Sequence, residues 1–155
     1  MMKSKLLPRI ELKKEVLPTA HCVTLFESED RRENLRRQKP PFFIQYHSYN
    51  RYSENEYELK GNRISELHEN SFGPVTSHLL TIKKWYETTN DDYGFIIEDD
   101  ISFESMSSWG FRWSEFISRL PKDWDIVQLC SIRENFPSIQ FERRRNDRVW
   151  GAQAY

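Results

Sequence analysis

A short apolar run that ends in three consecutive acids constrains this chain more than any other feature. Tyr93-Gly94-Phe95-Ile96-Ile97 leads directly into Glu98-Asp99-Asp100. Three apolar residues in a row, two of them β-branched, read as a short buried strand. Three carboxylates are a poor way to continue a core, because unpaired buried charge is expensive. They mark the point where a strand leaves it. Side chains alternate along a strand, so an extended chain would point Glu98 and Asp100 one way and Asp99 the other. Two carboxylates on one side of a strand end can hold a hard divalent cation such as magnesium or manganese. The plainer alternative is that the acids end the strand and face water.

The rest of the sequence alternates strand and helix signals. Ala20 to Phe26 reads as a first strand. Ser28 can cap a helix over 29–38, with Glu29 and Asp30 in the first turn, where acids suit the helix dipole. Pro40-Pro41 stops that helix, and Phe42 to Tyr46 reads as a second strand. Residues 47–72 show little period and read as a long loop. Tyr46, Tyr49, Tyr52 and Tyr57 either offer a stacking face to a base or pack the loop onto the body, and aromatics more often pack. Gly73-Pro74 opens a helix over 75–89, with Val75, Leu79, Ile82 and Tyr86 at helical spacing. His78 lies one turn before Ile82, near the edge of that stripe. Trp109, Trp113, Phe116, Ile117 and Leu120 mark a helix over 108–120. Asp125 to Cys130 reads as a strand, and Val149 to Tyr155 as the beginning of another. Residues 1–19 form a polar arm and 20–155 one domain. Helices between strands argue for an α/β fold with a mostly parallel sheet. Ligands of such sheets sit beyond the carboxyl ends of the strands, which is where the acid triplet falls.

Composition limits the partners of that sheet. The formal net charge of -1 over 155 residues gives no global drive towards nucleic acid or anionic membrane, and no nucleic-acid partner is expected. Mean hydropathy is -0.79. No apolar run approaches the roughly 20 residues of a membrane span. The first residues lack an apolar stretch of signal-peptide length, so a cytoplasmic location is the expectation. Cys22 and Cys130 sit in apolar runs and read as free buried thiols, with no disulfide framework or zinc site.

Several segments then fall in one order: Val23-Thr24-Leu25 with Arg31-Arg32 and Leu35, Gly73-Pro74-Val75-Thr76-Ser77-His78, Phe95 to Phe103, Asp123-Trp124-Asp125-Ile126-Val127-Gln128-Leu129, and Gly151-Ala152-Gln153-Ala154-Tyr155. This order resembles glycosyltransferase family 25, the lipopolysaccharide-type and procollagen-type galactosyltransferases. The Ser-His pair followed about 20 residues later by Glu-Asp-Asp is its specific part. The resemblance implies a GT-A-like, Rossmann-like nucleotide-sugar domain and a divalent cation, manganese or magnesium. It also implies inverting transfer of a hexose, usually galactose, from a UDP-sugar donor to a glycan or glycoprotein acceptor (a saccharide or a hydroxylysine-type hydroxyl). It sets Glu98, Asp99 and Asp100 at the metal and diphosphate site. Side-chain direction makes Asp100 the direct ligand, Glu98 a second ligand or one acting through water, and Asp99 structural. Arg32 matches a basic position that can meet a phosphate. Ser77 and His78 match a pair near the donor, with His78 a candidate catalytic group and a satisfied core histidine the commoner alternative.

Three departures qualify the match. Thr24 stands where the family usually has Asn. Pro74-Val75-Thr76 replaces a stretch that usually contains Gly or Cys. The chain stops at Tyr155, where the family continues into an acceptor-binding half. An inverting transfer needs a general base at the acceptor hydroxyl, and that base is expected in the absent half. The alternative is therefore a truncated or degenerate domain that binds nucleotide-sugar or a partner without turnover. An incomplete sheet has an open edge, and homodimerisation is a hypothesis on that ground. A nuclease or phosphatase of the metal–carboxylate kind would share the acid triplet but leave Ser77-His78 unexplained.

Overall fold

The structure, a computed structural model, describes residues 17–51, 69–104, 106 and 112–129, with the backbone alone for 69–71. Its elements run β1 (Ala20–Leu25), α1 (Glu29–Arg37), β2 (Ile44–Tyr49), α2 (Glu69–Thr88), β3 (Phe95–Glu98) and α3 (Trp113–Ser118). The three strands form one sheet in the order β2-β1-β3, and both pairings are parallel. Ala20 lies opposite Ile44 and Phe95, and Val23 lies opposite His47 and Glu98. The expected parallel α/β arrangement therefore holds, as a small open sheet compatible with a Rossmann-like fold.

The two faces of the sheet differ in chemistry because the side chains alternate. Ala20, Cys22, Phe95 and Ile97 share one face with Leu35 of α1 and Phe103, and these form the apolar core. Phe42 packs edge-on against both Phe95 and Phe103 at ring separations of 5.3 and 5.2 Å. Helix α1 buries little else: Arg32 and Leu35 are its only buried residues. Its exposed face is held by Arg36–Glu29, Arg36–Glu33 and Arg37–Glu33 pairs, each worth tenths of a kcal/mol at a solvated surface.

The other face sets buried polar groups beside Val23 and Ile96, where a parallel sheet covered on both sides is usually apolar throughout. His21 and His47 are buried there, as are Ser77, His78 and Thr81 of α2. Buried polar groups need partners. Thr81 shares a 2.8 Å hydrogen bond with the Tyr49 hydroxyl, and His21 Nδ1 lies 3.0 Å from His47 Nε2. Trp85 of α2 packs against Gly94, where a Cβ would stand 2.7 Å from its Cδ2.

Four boundaries differ from the sequence reading. Strand β2 spans Ile44–Tyr49, not Phe42 to Tyr46. Its polar second half takes the ladder position opposite Val23 to Leu25 that the apolar pattern alone did not mark. Helix α2 begins at Glu69, so Pro74 lies inside it. The proline has no N–H to give one turn back, and Thr76 ties that turn by donating to the Phe72 carbonyl at 2.7 Å. Of the helix expected over 108–120, the described residues carry Trp113–Ser118. Residues 125–129 are not a strand, because no ladder partner meets them among the described residues, and Ile126 is exposed. The strand expected at 149–155, Cys130 and most of the 1–19 arm and the 47–72 loop lie outside the described residues.

Candidate functional site

The chain enters the sheet at its centre, then adds one strand on each side. In open parallel sheets the crevice outside the carboxyl ends, where the connections diverge, is the usual ligand position. Here that crevice lies between the ends of β1 and β3. It collects Thr24, Arg31 and Arg32 from the β1–α1 corner and Glu98, Asp99 and Asp100 from the end of β3.

The three acids do not alternate as an extended strand would place them. Strand β3 ends at Glu98, and Asp99-Asp100 form a turn closed by the Ile101 amide donating to the Glu98 carbonyl at 3.5 Å. The turn gives each acid its own surroundings. Asp99 is buried. Its carboxylate accepts a 2.6 Å hydrogen bond from the Thr24 hydroxyl and a 3.2 Å bond from Arg31 Nη1. Glu98 faces α2, where its Oε1 lies 3.0 Å from His78 Nε2. Asp100 is half exposed and lies 3.5 Å from Arg31 Nη1. Partial burial, with Glu98 and Asp99 close by, pushes the Asp100 carboxyl above the ordinary range, and Arg31 opposes that rise.

The two arginines of α1 have different tasks. Arg32 is buried and spends all five N–H groups inside the protein. They go to Glu29 (3.0 and 2.7 Å), to the Thr24 hydroxyl (3.2 Å), to the Leu25 carbonyl and to the Phe26 carbonyl (3.0 Å). It therefore closes the end of β1, and no N–H is left for a phosphate. Arg31 is the open one, with a side chain 53% exposed. Its hydrogen bond to Asp99 holds its pKa above the ordinary arginine value. Sequence reading named Arg32 and passed over Arg31, since adjacent arginines on a helix give no local sign of which one faces the sheet.

Two further residues fix the acid turn. Thr24 accepts from Arg32 and donates to Asp99, so one hydroxyl joins the arginine to the carboxylate. Gln38, at the end of α1, donates to the Ile101 carbonyl at 3.0 Å and accepts from the Phe103 amide at 2.7 Å. The segment leaving the turn is pinned as firmly as the turn itself. Ser77 is buried on α2 beside His78. Beneath the site Cys22 is fully buried, and burial with the nearby Asp99 carboxylate pushes its thiol far up, so it stays neutral.

An apolar hollow lies elsewhere. A cavity of about 190 Å³ opens at the amino end of β3, among Trp85, Tyr93, Trp113, Phe116 and Trp124. It is aromatic and apolar and shares no residue with the acid turn. The charged chemistry lies in the shallow crevice at the opposite end of the strand.

No group of three or more His, Cys, Asp or Glu side chains among the described residues is arranged to hold a metal ion by itself. The donor chemistry is of another kind. Glu98 and Asp100 offer hard oxygens, while Asp99 is committed to Thr24 and Arg31. Magnesium-like ions are commonly held by one or two carboxylates, with substrate phosphates and water completing the shell. Glu98 and Asp100 are the carboxylates such an ion would use here, and the Arg31 guanidinium stands 3.5 Å from Asp100.

Fold and site together define an α/β chain with an open three-stranded parallel sheet and a carboxylate–arginine turn at its switch point. Among the described residues no helix is long and apolar enough to cross a membrane. Compared with known protein families, curated proteins and solved structures, the chain matches none.

Proposed function

We propose that the chain is the donor-binding domain of a metal-dependent glycosyltransferase of GT-A type, taking a UDP-hexose such as UDP-galactose and similar to family 25. One observation carries this reading. The acid turn Glu98-Asp99-Asp100 stands at the carboxyl end of β3 beside the switch point, with Arg31 against it. A nucleotide diphosphate needs positive charge, and a site lined by carboxylates supplies it through a cation held between carboxylate and phosphate. Bound there, manganese or magnesium would neutralise charge on the departing diphosphate.

The chain's own residues divide the work. Asp100, half exposed, is the carboxylate free to hold the cation. Glu98 stands behind it, oriented by His78. Asp99 fixes the turn through Thr24. Arg32 supports the strand end without touching the donor, and Ser77 lies buried beside His78. The acceptor, a saccharide or protein hydroxyl, needs a base outside this group.

Titration calorimetry with UDP and UDP-galactose, in manganese and in chelator, tests the reading. Binding that appears with manganese and disappears in Asp100→Asn is the expected result. Equal binding with and without metal, or none in either condition, overturns it. Release of galactose from UDP-galactose by the purified chain then separates a working transferase from a domain that binds donor without turnover.

A further inference from the structure

Two aromatic residues from distant parts of the chain stack at the amino end of β3: the Tyr93 and Trp124 rings lie 5.5 Å apart. Each has an aspartate beside it in sequence, Asp92 before Tyr93 and Asp125 after Trp124, so the stack brings both carboxylates to one opening. Behind them is the cavity of about 190 Å³. It takes its walls from both sides of the sheet. Trp85 of α2 presses against Gly94 on one side, and Trp113 of α3 meets Phe95 at 6.2 Å on the other. The hollow thus lies over the outer edge of β3, away from β1, where no strand pairs among the described residues. Asp92 and Asp125 are exposed and Tyr93 is 37% exposed, so these three form the rim. Among the described residues neither aspartate is paired with a basic side chain, and no Lys, Arg or His lines the cavity.

We infer that this cavity is a binding site for a small quaternary ammonium ion of about the size of choline. The inference is independent of the nucleotide-sugar reading, because the cavity shares no residue with the acid turn. Three tryptophans and a tyrosine surround the space. The negative face of an aromatic ring attracts an organic cation within about 6 Å of its centroid. Such walls serve a primary ammonium badly, since its N–H groups would lose water without gaining acceptors. A trimethylammonium group has no N–H to satisfy, and its methyl groups suit apolar walls. The rim sets the sign of the ligand: among the described residues Asp92 and Asp125 are the only charged side chains on the cavity, and both favour a cation. Size sets the class. A cavity of about 150 Å³ takes a benzene molecule, so this one holds a choline-sized group and falls well short of a nucleotide.

The test titrates the whole chain with choline chloride, read by tryptophan fluorescence and repeated by calorimetry, with sodium chloride at matched ionic strength as the blank. The neutral isostere dimethylbutanol, with a tert-butyl group in place of trimethylammonium, separates charge from shape. Choline is expected to bind in the millimolar range or tighter, and dimethylbutanol roughly tenfold more weakly. Changing both rim residues together, Asp92→Asn with Asp125→Asn, should weaken choline by roughly fivefold and leave dimethylbutanol unchanged. Both changes are at exposed positions, and circular dichroism checks that the fold is kept. The comparison of choline with its isostere needs no variant at all. Equal binding of the two probes, unaltered choline binding in the double variant, or no choline binding by the original chain overturns the inference.

Discussion

Thr24 and Asp99 stand 75 positions apart in the chain and share a 2.6 Å hydrogen bond across the ends of β1 and β3. The same hydroxyl accepts from Arg32, so three residues close the floor of the crevice. Asp99 is buried, and a buried carboxylate that loses a donor is costly. Thr24→Val keeps the shape and removes the hydroxyl. It is expected to lower stability by about 1–3 kcal/mol in urea denaturation. Thr24→Ser should retain most of it. Equal midpoints for Thr24→Val and the original chain would mean that the bond contributes nothing.

Asp99 and Asp100 are adjacent acids with opposite expectations. Asp100→Asn removes one of three crowded charges from a half-exposed position, so stability should change by no more than about 0.5 kcal/mol in either direction. Metal-dependent UDP binding should be lost. Asp99→Asn should lower stability by about 1–3 kcal/mol, because Thr24 and Arg31 lose a charged acceptor. Thermal melts beside calorimetry on both variants check the pair. A reversed pattern would reassign the ligand.

The buried His21–His47 pair makes stability depend on pH. The rings stack at 5.2 Å, and His21 Nε2 and His47 Nδ1 have no hydrogen-bond partner among the described residues. Burial lowers both pKa values, His47 to about 4, with His21 and Lys84 adding to the His47 shift and Asp91 opposing that of His21. The folded chain thus binds the proton later than the unfolded chain, whose histidines titrate near 6.5. Stability from this pair is complete above about pH 6.5. It falls as the pH drops towards about 4, by on the order of 3 kcal/mol for His47. Urea midpoints between pH 7.5 and 4.5 should slope less steeply in His47→Gln. An identical slope in both chains would contradict the assignment.

Gly94 lies where α2 meets the sheet. A Cβ there would stand 2.7 and 2.9 Å from Cδ2 and Cε3 of Trp85. Gly94→Ala should cost roughly 1–3 kcal/mol by overpacking. In a Trp85→Leu background the same change should cost much less, since the ring it strikes is gone. Additive losses in that cycle would show that the clash is not with Trp85.

Much of this architecture was legible because its signals are local. β-Branched runs placed β1 and β3, and two acids after Ser28, which stands at the N-cap position without a side-chain capping bond, then Pro40-Pro41, bounded α1 to within a residue or so. The acid triplet marked the end of β3 because charge cannot follow a buried run without a reason. β2 was harder. Its second half, His47-Ser48-Tyr49, is polar, and it is a strand only because Val23 to Leu25 lie alongside it. Helix α2 likewise runs through Pro74, where the local signal reads as a start.

By itself the sequence determined an α/β chain with parallel strands and an acid triplet at a strand end, since period and charge are properties of neighbours in the chain. Which acid is buried, which arginine meets the acids and which histidines touch were decided only by tertiary structure. The Asp99–Arg31 bond joins residues 68 positions apart, and the His21–His47 bond residues 26 apart. No local pattern carries that information. It arises when the parallel register sets Val23 beside both His47 and Glu98 and the turn at Asp99-Asp100 rotates three adjacent carboxylates into three different surroundings.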